Sequence, residues 1–561
     1  MKKEKDTISG KFDGDSAEKT ITRRTLLTGA AAASVIGTMG ALVGCSPAAT
    51  DGSSSGAGDA HRGSSVSWRD VPAVPKAGDI AETKEVDVCV VGGGSSGLGA
   101  ARSALLHGAQ SVLVLEKNDV SRIGGGVHGI LRSKIAREIG WDPSPELVDE
   151  MIKDEMRLSC MRADERYYRV WAERSEEVFD SMQEAFDTQH LHVINTGEAP
   201  YDQLKDEYFS EAVYPGQGLQ VSESDVNTPI IEGFTKWVSE NGGEIIYSCA
   251  GEQLIKDGDK IAGVYAKNSQ GSYIQVNAKA VIISTGGFEG NNEMIEELAP
   301  HVIGTPIANT IPGEGDGIKM AVWAGGQTQI SPCCIMLSSA TSPENPNVPS
   351  PIPFVAVNKN GKRFANEATS SFLIPYAILN QPDRRAWQIF DKNYAKIIND
   401  LKIQTWMGTI IFDDAKCAKF ESVATKEDTI EGLATAIGVD PDGLKKTLEK
   451  YSELTAKGHD DQFGVPPRFM KAVNPVEPPF YAMEIPYYID VSVGGIICNP
   501  ETSEVLDANR EPIPGLFASG NTVGERFGAC YTNNMTGLSN GFADVGGFIA
   551  GESAGAYISK L

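Results

Sequence analysis

The chain has 561 residues, 41% of them hydrophobic and 22% charged, with a formal net charge of −25. This is the composition of an ordinary water-soluble globular protein with more than one small core, and so acidic a surface excludes a nucleic-acid binder, which needs a basic face. The nine cysteines show no CxxC, CxxCH or iron–sulfur spacing, which excludes a zinc or disulfide framework and c-type haem; no metal-binding set is read, and Cys333-Cys334 is expected in a core.

The N-terminal segment reads as an address. Thr22-Arg23-Arg24-Thr25-Leu26-Leu27 precedes a small-residue, apolar run that reaches Val43 and is too short and too rich in Ala and Gly to span a membrane well. A twin arginine before such a run resembles a Tat export signal. Leu42-Val43-Gly44-Cys45 resembles a bacterial lipobox. We therefore expect residues 1–45 to be a Tat-type lipoprotein signal, with Cys45 lipidated and the protein anchored on the extracytoplasmic face of a membrane. Residues 46–80 form a flexible linker, rich in Ser, Gly and Ala up to residue 65.

Val86-Asp87-Val88-Cys89-Val90-Val91 is a short apolar run suited to a buried parallel strand. Gly92-Gly93-Gly94-Ser95-Ser96-Gly97 follows and satisfies GxGxxG. Leu98–His107 reads as a helix and Ser111–Leu115 as a second strand ending in Glu116. Gly92 permits a tight turn, Gly94 lets the backbone approach a pyrophosphate, and Gly97 lets helix and strand pack closely. The helix N-terminus offers N–H groups to phosphate, and Glu116 suits ribose hydroxyls. The order strand, loop, helix, strand, acid predicts a dinucleotide site without choosing between FAD and NAD.

Further motifs make that choice. Ile123-Gly124-Gly125-Gly126 follows Glu116-Lys117; residues 226–248 read as a helix and strand around Gly242-Gly243; Ala278 leads to Thr285-Gly286-Gly287-Phe288; and Gly315-Asp316-Gly317 forms a turn before a helix. Val357-Asn358-Lys359-Asn360-Gly361-Lys362-Arg363-Phe364-Ala365-Asn366-Glu367 reads as a hairpin. Pro514-Gly515-Leu516-Phe517-Ala518-Ser519-Gly520-Asn521 and Gly537-Leu538-Ser539-Asn540 come near the end. In this order, from about Glu85 to the C-terminus, the motifs resemble the flavoprotein family of FAD-dependent fumarate reductase and succinate dehydrogenase, which includes 3-ketosteroid dehydrogenases and urocanate reductase. The resemblance implies an α/β fold, a discontinuous Rossmann-like FAD-binding domain (81–335 and 490–561) with an inserted α+β capping domain (336–489). It implies non-covalent FAD held by Gly92, Gly94, Ser96, Gly97, Glu116, Lys117, Gly125, Gly126, Thr285, Gly286, Gly287, Asp316, Gly520, Asn521, Leu538 and Ser539.

The chain departs from the family where fumarate is gripped. The arginine proton donor falls on or near Ser371, the histidines near Val491 and near Met336 or Leu337, and the carboxylate-binding arginine near Asn534. Carboxylates are bound well by bidentate arginine, so the substrate is expected to be larger and less charged: an enone, an aromatic acrylate or a steroid-like ring. The resemblance to ketosteroid dehydrogenases makes Tyr531 the candidate that polarises a ketone. Arg526 is the candidate for anchoring substrate or delivering a proton, against a plain salt bridge with a nearby acid. Tyr376, Tyr487 and Tyr488 either face the flavin from the cap or are packed aromatics. His128 lines the flavin pocket or links covalently to it, and Arg363 and Glu367 are structural. The expected activity is reduction of an activated C=C bond with electrons from a separate cytochrome, flavoprotein or quinol-linked protein, in anaerobic respiration. The alternatives are a 3-ketosteroid-type dehydrogenase and a flavin-bearing electron carrier.

Overall fold

The computed structural model describes residues 67–561 except 122–126, 139–141, 186–190, 195–217, 222–227, 310, 340–352, 402–403, 406–407, 410, 534 and 536. The signal and lipobox readings around Arg23, Arg24 and Cys45, and the assignments of Gly125, Gly126 and Asn534, lie outside the described residues. Among the described residues no helix is long and apolar enough to cross a membrane.

The main sheet runs in the order Glu504–Leu506, Pro512–Ala518, Tyr273–Ile283, Ile80–Val91, Val112–Leu115, Gly243–Ile246. Along this order the pairings are parallel except that of Glu504–Leu506. Val88 to Val91 sit at its centre and are buried throughout, and Val112 to Leu115 likewise. Parallel strands need cover on both faces, which is why these stretches read as unbroken apolar runs. A hairpin, Cys249–Asp257 with Lys260–Asn268, extends Tyr273–Ile283 on the antiparallel side.

One face is covered by helices Ser95–Leu106 and Leu538–Ile558. The last helix carries Gly547, Gly551 and Gly555, one every fourth residue. A Cβ on any of them would collide with the backbone at Ser96, Ala100 or His107. Residues four apart share a helix face, so the glycines form one strip along which the two helices approach backbone to backbone. Ser103 Oγ donates to the Phe548 carbonyl across it at 2.6 Å.

A second core surrounds the antiparallel sheet Val355–Asn358, Ala386–Asp391, Phe480–Glu484, Thr425–Glu427. Its aromatic centre is Phe390, stacked on Phe354 at 4.8 Å and on Tyr481 at 5.4 Å. The chain passes between the two regions along Ile335–Ser338 and Tyr488–Ser492, which pair as an antiparallel ribbon.

The segment read as a hairpin turns out to be one strand and a turn. Val355–Asn358 pairs with Ala386–Asp391, and the chain reverses over Gly361 at φ +65°. The returning arm is held by side chains instead of a ladder. Arg363 donates two bonds to Glu367 (2.6 and 2.7 Å) and two to Asp460 (3.1 and 2.8 Å), all three groups being buried. Burial would raise the Asp460 carboxyl, but the Arg363 bonds and the N–H groups of Val465 and Gln462 prevail and hold it at about 2. Arg363 and Glu367 thus stand where a structural role was expected.

Candidate active site

The glycine loop closes the C-terminal edge of the parallel sheet. Gly92 has φ +106°, and a Cβ there would strike the Ser284 carbonyl. Gly97 lies against the Gly92 carbonyl with no room for a side chain. The tight turn and the close helix–strand contact read from the motif are therefore both present. Gly94, in extended backbone, caps helix Ser95–Leu106 without a side-chain bond, which leaves the first N–H groups of the helix to a ligand.

A groove opens there, lined by Gly92, Gly94, Ser96, Glu116, Lys117, Thr285, Gly286, Asp316, Gly520 and Asn521 from the expected set. Glu116 ends its strand with both carboxylate oxygens engaged. Oε2 accepts from Gly93 N–H at 2.8 Å, and Oε1 from the backbone and side chain of Asn118 at 2.8 and 2.7 Å. Lone pairs remain for a ribose. Lys117 and Asp316 meet as an ion pair at 3.0 Å on the rim; burial raises the Asp316 carboxyl, but Lys117 and Lys319 outweigh it and the net shift is down. Thr285 Oγ1 accepts from Gly317 N–H at 2.9 Å, fixing the start of helix Asp316–Ala324. Gly286, at φ +79°, has open space on its Cβ side.

Three expected residues stand elsewhere. Gly97 packs behind the loop. Gly287 faces Ser492 and Glu289, whose carboxylate collects the backbone N–H groups of Gly313 and Ser492. Leu538 is buried in an apolar cluster. Ser539 reaches the site through Asn521, donating to its Oδ1 at 3.2 Å. Residues 118, 250, 251, 284, 540 and 543 also line the groove and were not singled out by sequence.

Tyr531, the candidate for polarising a carbonyl, is placed at the start of the last helix. Its hydroxyl lies 3.5 Å from Ser539 N, at the N-terminus of the last helix. Phe527 and Phe372 meet its ring edge-on, at 5.0 and 5.7 Å. Burial pushes the phenol up, so it is a neutral donor. Tyr376 is committed elsewhere: its hydroxyl donates to the Ile335 carbonyl and its ring stacks on His301 at 6.0 Å. Tyr487 donates to the Arg384 carbonyl.

Arg526 is 2% exposed and bonds to Val523 O and Asn521 Oδ1, both at 3.1 Å, while Nη1 has no partner among the described residues. Among the described residues it forms no salt bridge; Glu525 pairs with Arg510 at 2.7 Å. Burial lowers the guanidinium to about 10. A buried cation without a counter-ion costs stability, so Arg526→Met is expected to unfold within about 1 kcal/mol of wild type or later. Chemical denaturation checks this; a loss of several kcal/mol makes the arginine a structural residue.

The positions of the fumarate grip hold no cation among the described residues. Ser371 is buried, and Met336 and Val491 pack with Phe372, Phe527, Tyr531 and Met535.

The groove suits a dinucleotide: it offers a glycine cradle, a bare helix N-terminus, an acid at the second strand end and buried polar atoms that want partners. His128, linked to the lining residue Ser95 through Asp544, carries one such atom. Its Nδ1 lies 2.6 Å from Asp544 Oδ2, whose other oxygen accepts from Ser95 Oγ at 3.1 Å, while the fully buried Nε2 has no partner among the described residues. Bound FAD would be held by the glycine loop, Glu116 and Asn521 of this groove.

Comparison with known proteins agrees with this geometry. Over 500 residues the chain is 27% identical to the NADH:fumarate oxidoreductase of Klebsiella pneumoniae, matching 87% of this chain and 49% of that protein, so it spans about half of that relative's length. It is 26% identical over 512 residues to the vinyl phenol reductase of Lactiplantibacillus plantarum, covering 85% of this chain and 98% of that one. The open conformation of a flavocytochrome c3 fumarate reductase superposes with a TM-score of 0.64 at 25% identity, covering 88% of this chain and 83% of that one. The family model described as FAD binding domain matches residues 87–538. With most of the sequence accounted for in this way, the chain belongs to the FAD binding domain family.

Proposed function

We propose that the chain is a FAD-dependent oxidoreductase of the CH–CH class that reduces an activated C=C bond in a small, largely apolar substrate other than fumarate. The observation that carries this reading is the apolar cluster around Tyr531. Phe372 and Phe527 meet its ring, and Met336, Val491 and Met535 belong to or pack against the same apolar cluster; surroundings of this kind, with no cation at the positions of the fumarate grip among the described residues, suit an aromatic or alicyclic enone or acrylate better than a dicarboxylate. The vinyl phenol reductase relative supports the same direction.

Bound FAD supplies the hydride. The residues of the chain do the rest. Hydride addition drives negative charge onto the activating carbonyl, and catalysis needs a preorganised donor aimed at that oxygen. Tyr531 offers a neutral phenol in a dry setting, where such a donor is strongest. The N-terminus of helix Leu538–Ile558 adds positive dipole beside it. The electron source we propose is a separate redox partner, a cytochrome, another flavoprotein or a quinol-linked protein. The twin arginine and lipobox support Tat export and anchoring through Cys45 on the extracytoplasmic face.

The test is anaerobic. The protein is reduced and mixed with enones, aromatic acrylates and steroids, and flavin reoxidation is followed. At least one of these is expected to reoxidise it faster than fumarate does. Tyr531→Phe is expected to slow that reoxidation by about 10²–10³-fold with substrate affinity little changed. If none of the alkenes reacts while redox proteins do, the chain is an electron carrier; if Tyr531→Phe keeps the wild-type rate, the phenol is a wall and not a donor.

A further inference from the structure

Reducing an alkene consumes a hydride and a proton, and the groups described so far account for the hydride and the carbonyl but not for a proton supply. Behind Tyr531 the structure buries an acid. Glu155 belongs to helix Pro145–Leu158 and is 2% exposed. Its Oε1 accepts from Thr532 Oγ1 at 2.8 Å, and no Lys or Arg forms an ion pair with it among the described residues. Thr532 follows Tyr531 in the chain. The loop that carries both lies flat on the helix end: a Cβ on Gly528 would sit 2.6 Å from the Ser159 carbonyl.

The titratable groups facing this carboxyl come from several elements. Helix Glu165–Met182 contributes Tyr168, whose buried hydroxyl has no partner among the described residues. The loop contributes Cys530 and Tyr531, and a negative charge on Glu155 raises Tyr168, Cys530 and Tyr531 alike. Asp154 adds a like charge from the same helix. Cys334 and the cation of Arg526 act on the same two phenols from farther off. A carboxylate taken from water into such a place without a cation is too costly to stay ionised, and it neutralises instead. Burial accordingly pushes the Glu155 carboxyl up to about 7, with Thr532 opposing the rise only in part.

We propose that Glu155 is the proton store of the active site: it stands behind Tyr531 as a neutral carboxylic acid and gives up its proton at each reduction. The balance is as follows. Hydride adds to one alkene carbon and the π pair moves to the activating carbonyl oxygen. The Tyr531 phenol passes its proton to that oxygen, and Glu155 restores the phenol, becoming a carboxylate. The enol rearranges to the saturated carbonyl compound by moving that proton from oxygen to the second carbon. Glu155 then takes a proton from water. Each turnover thus adds one hydride and one proton to the alkene. Glu155 touches no substrate atom and is a positioning and supply residue.

This inference rests on the reductase reading for its role in turnover, but not for the state of the acid, so two measurements keep them apart. The first needs no substrate. Infrared difference spectra of the FAD-loaded protein, titrated with acid and base, are recorded in an Asp490→Asn background, because burial pushes the Asp490 carboxyl up to about 7 as well; they are expected to show a protonated-carboxyl band that disappears with a midpoint near pH 7 and is missing once Glu155→Gln is added. Gln is isosteric with the neutral acid, so that variant keeps the fold. In that background, a band that survives Glu155→Gln, or the lack of any carboxyl titrating near neutrality before that change, overturns the proposal. The second uses any alkene that reoxidises the reduced protein. The wild-type rate is expected to fall about tenfold per pH unit above the midpoint. In Glu155→Gln it is expected to be about 10²-fold slower and flat with pH, and Glu155→Asp is expected to restore a sloping profile. A slower Glu155→Gln that keeps the wild-type pH profile shows a structural role and also overturns the proposal. If no alkene reacts, the reductase reading fails while the infrared result still decides whether Glu155 stores a proton.

Discussion

Gly97→Val is expected to give a folded protein that purifies without its yellow colour. The side chain would have to occupy the space of the Gly92 carbonyl. That oxygen belongs to a backbone pinned by Gly92 N–H on the Leu115 carbonyl at 2.8 Å, so neither side yields. Relief requires the helix N-terminus to move away from the sheet, and the N–H groups that would face the pyrophosphate move with it. A loss of about 3 kcal/mol in cofactor binding is roughly a hundredfold in affinity. The ratio of flavin to protein absorbance after gel filtration measures it. Gly99→Ala is the internal control. It lies on the same helix with nothing near its Cβ position, and it is expected to keep full colour and gain up to about 1 kcal/mol from helix propensity. If Gly97→Val retains stoichiometric FAD, the cradle assigned to the glycine loop is wrong.

The second large effect concerns Arg363. Replacing it with Met leaves Glu367 and Asp460 buried and facing each other with their shared cation gone. Breaking a buried ion pair on one side costs about 3–5 kcal/mol, and the region around the sheet that begins at Val355–Asn358 is expected to unfold first. The pH dependence has a definite sign. In the wild type Asp460, held at about 2 against an ordinary 3.8, contributes stability that is present above pH 3.8 and is lost as pH falls towards 2. In Arg363→Met that contribution disappears, so the deficit is expected to shrink in acid as both carboxyls take protons. The double change Glu367→Gln with Asp460→Asn is expected to recover part of the loss. Denaturant unfolding at pH 7 and pH 4 decides; a deficit below about 1 kcal/mol at pH 7 would mean that the three groups are solvated despite their burial.

The parts of the site legible in sequence are those built from neighbours along the chain. Gly92 to Gly97 and Glu116 could be read because turn, helix and strand end occur at fixed spacing. Thr285-Gly286, Asp316 and Gly520-Asn521 could be read because their motifs resemble those of known flavoproteins. What could not be read depends on distant meetings. His128 and Asp544 stand 416 positions apart, and no local pattern links them. Arg526 was a fair candidate for a salt bridge until the fold gave Glu525 to Arg510. Tyr376 follows the expected turn, but only the crossing ribbon shows its hydroxyl spent on Ile335. Glu155 did leave a trace. Val148, Met151, Ile152, Glu155 and Met156 are the buried residues of their helix, at the spacing of an apolar stripe, so an acid in that stripe marks a buried charge. That trace is faint because so acidic a chain makes one more Glu look ordinary.

The strip of glycines on helix Leu538–Ile558 has a consequence for biosynthesis. Helix Ser95–Leu106 leaves the ribosome more than 400 residues before its covering partner, as the 445-residue separation of Ser103 and Phe548 records. Pairings across such spans form late, because the chain must close a very long loop before the contact repays it. The nascent nucleotide site therefore waits, half-walled, until helix Leu538–Ile558 has been made, and FAD captured at that moment would act as the clasp that makes closure irreversible in practice.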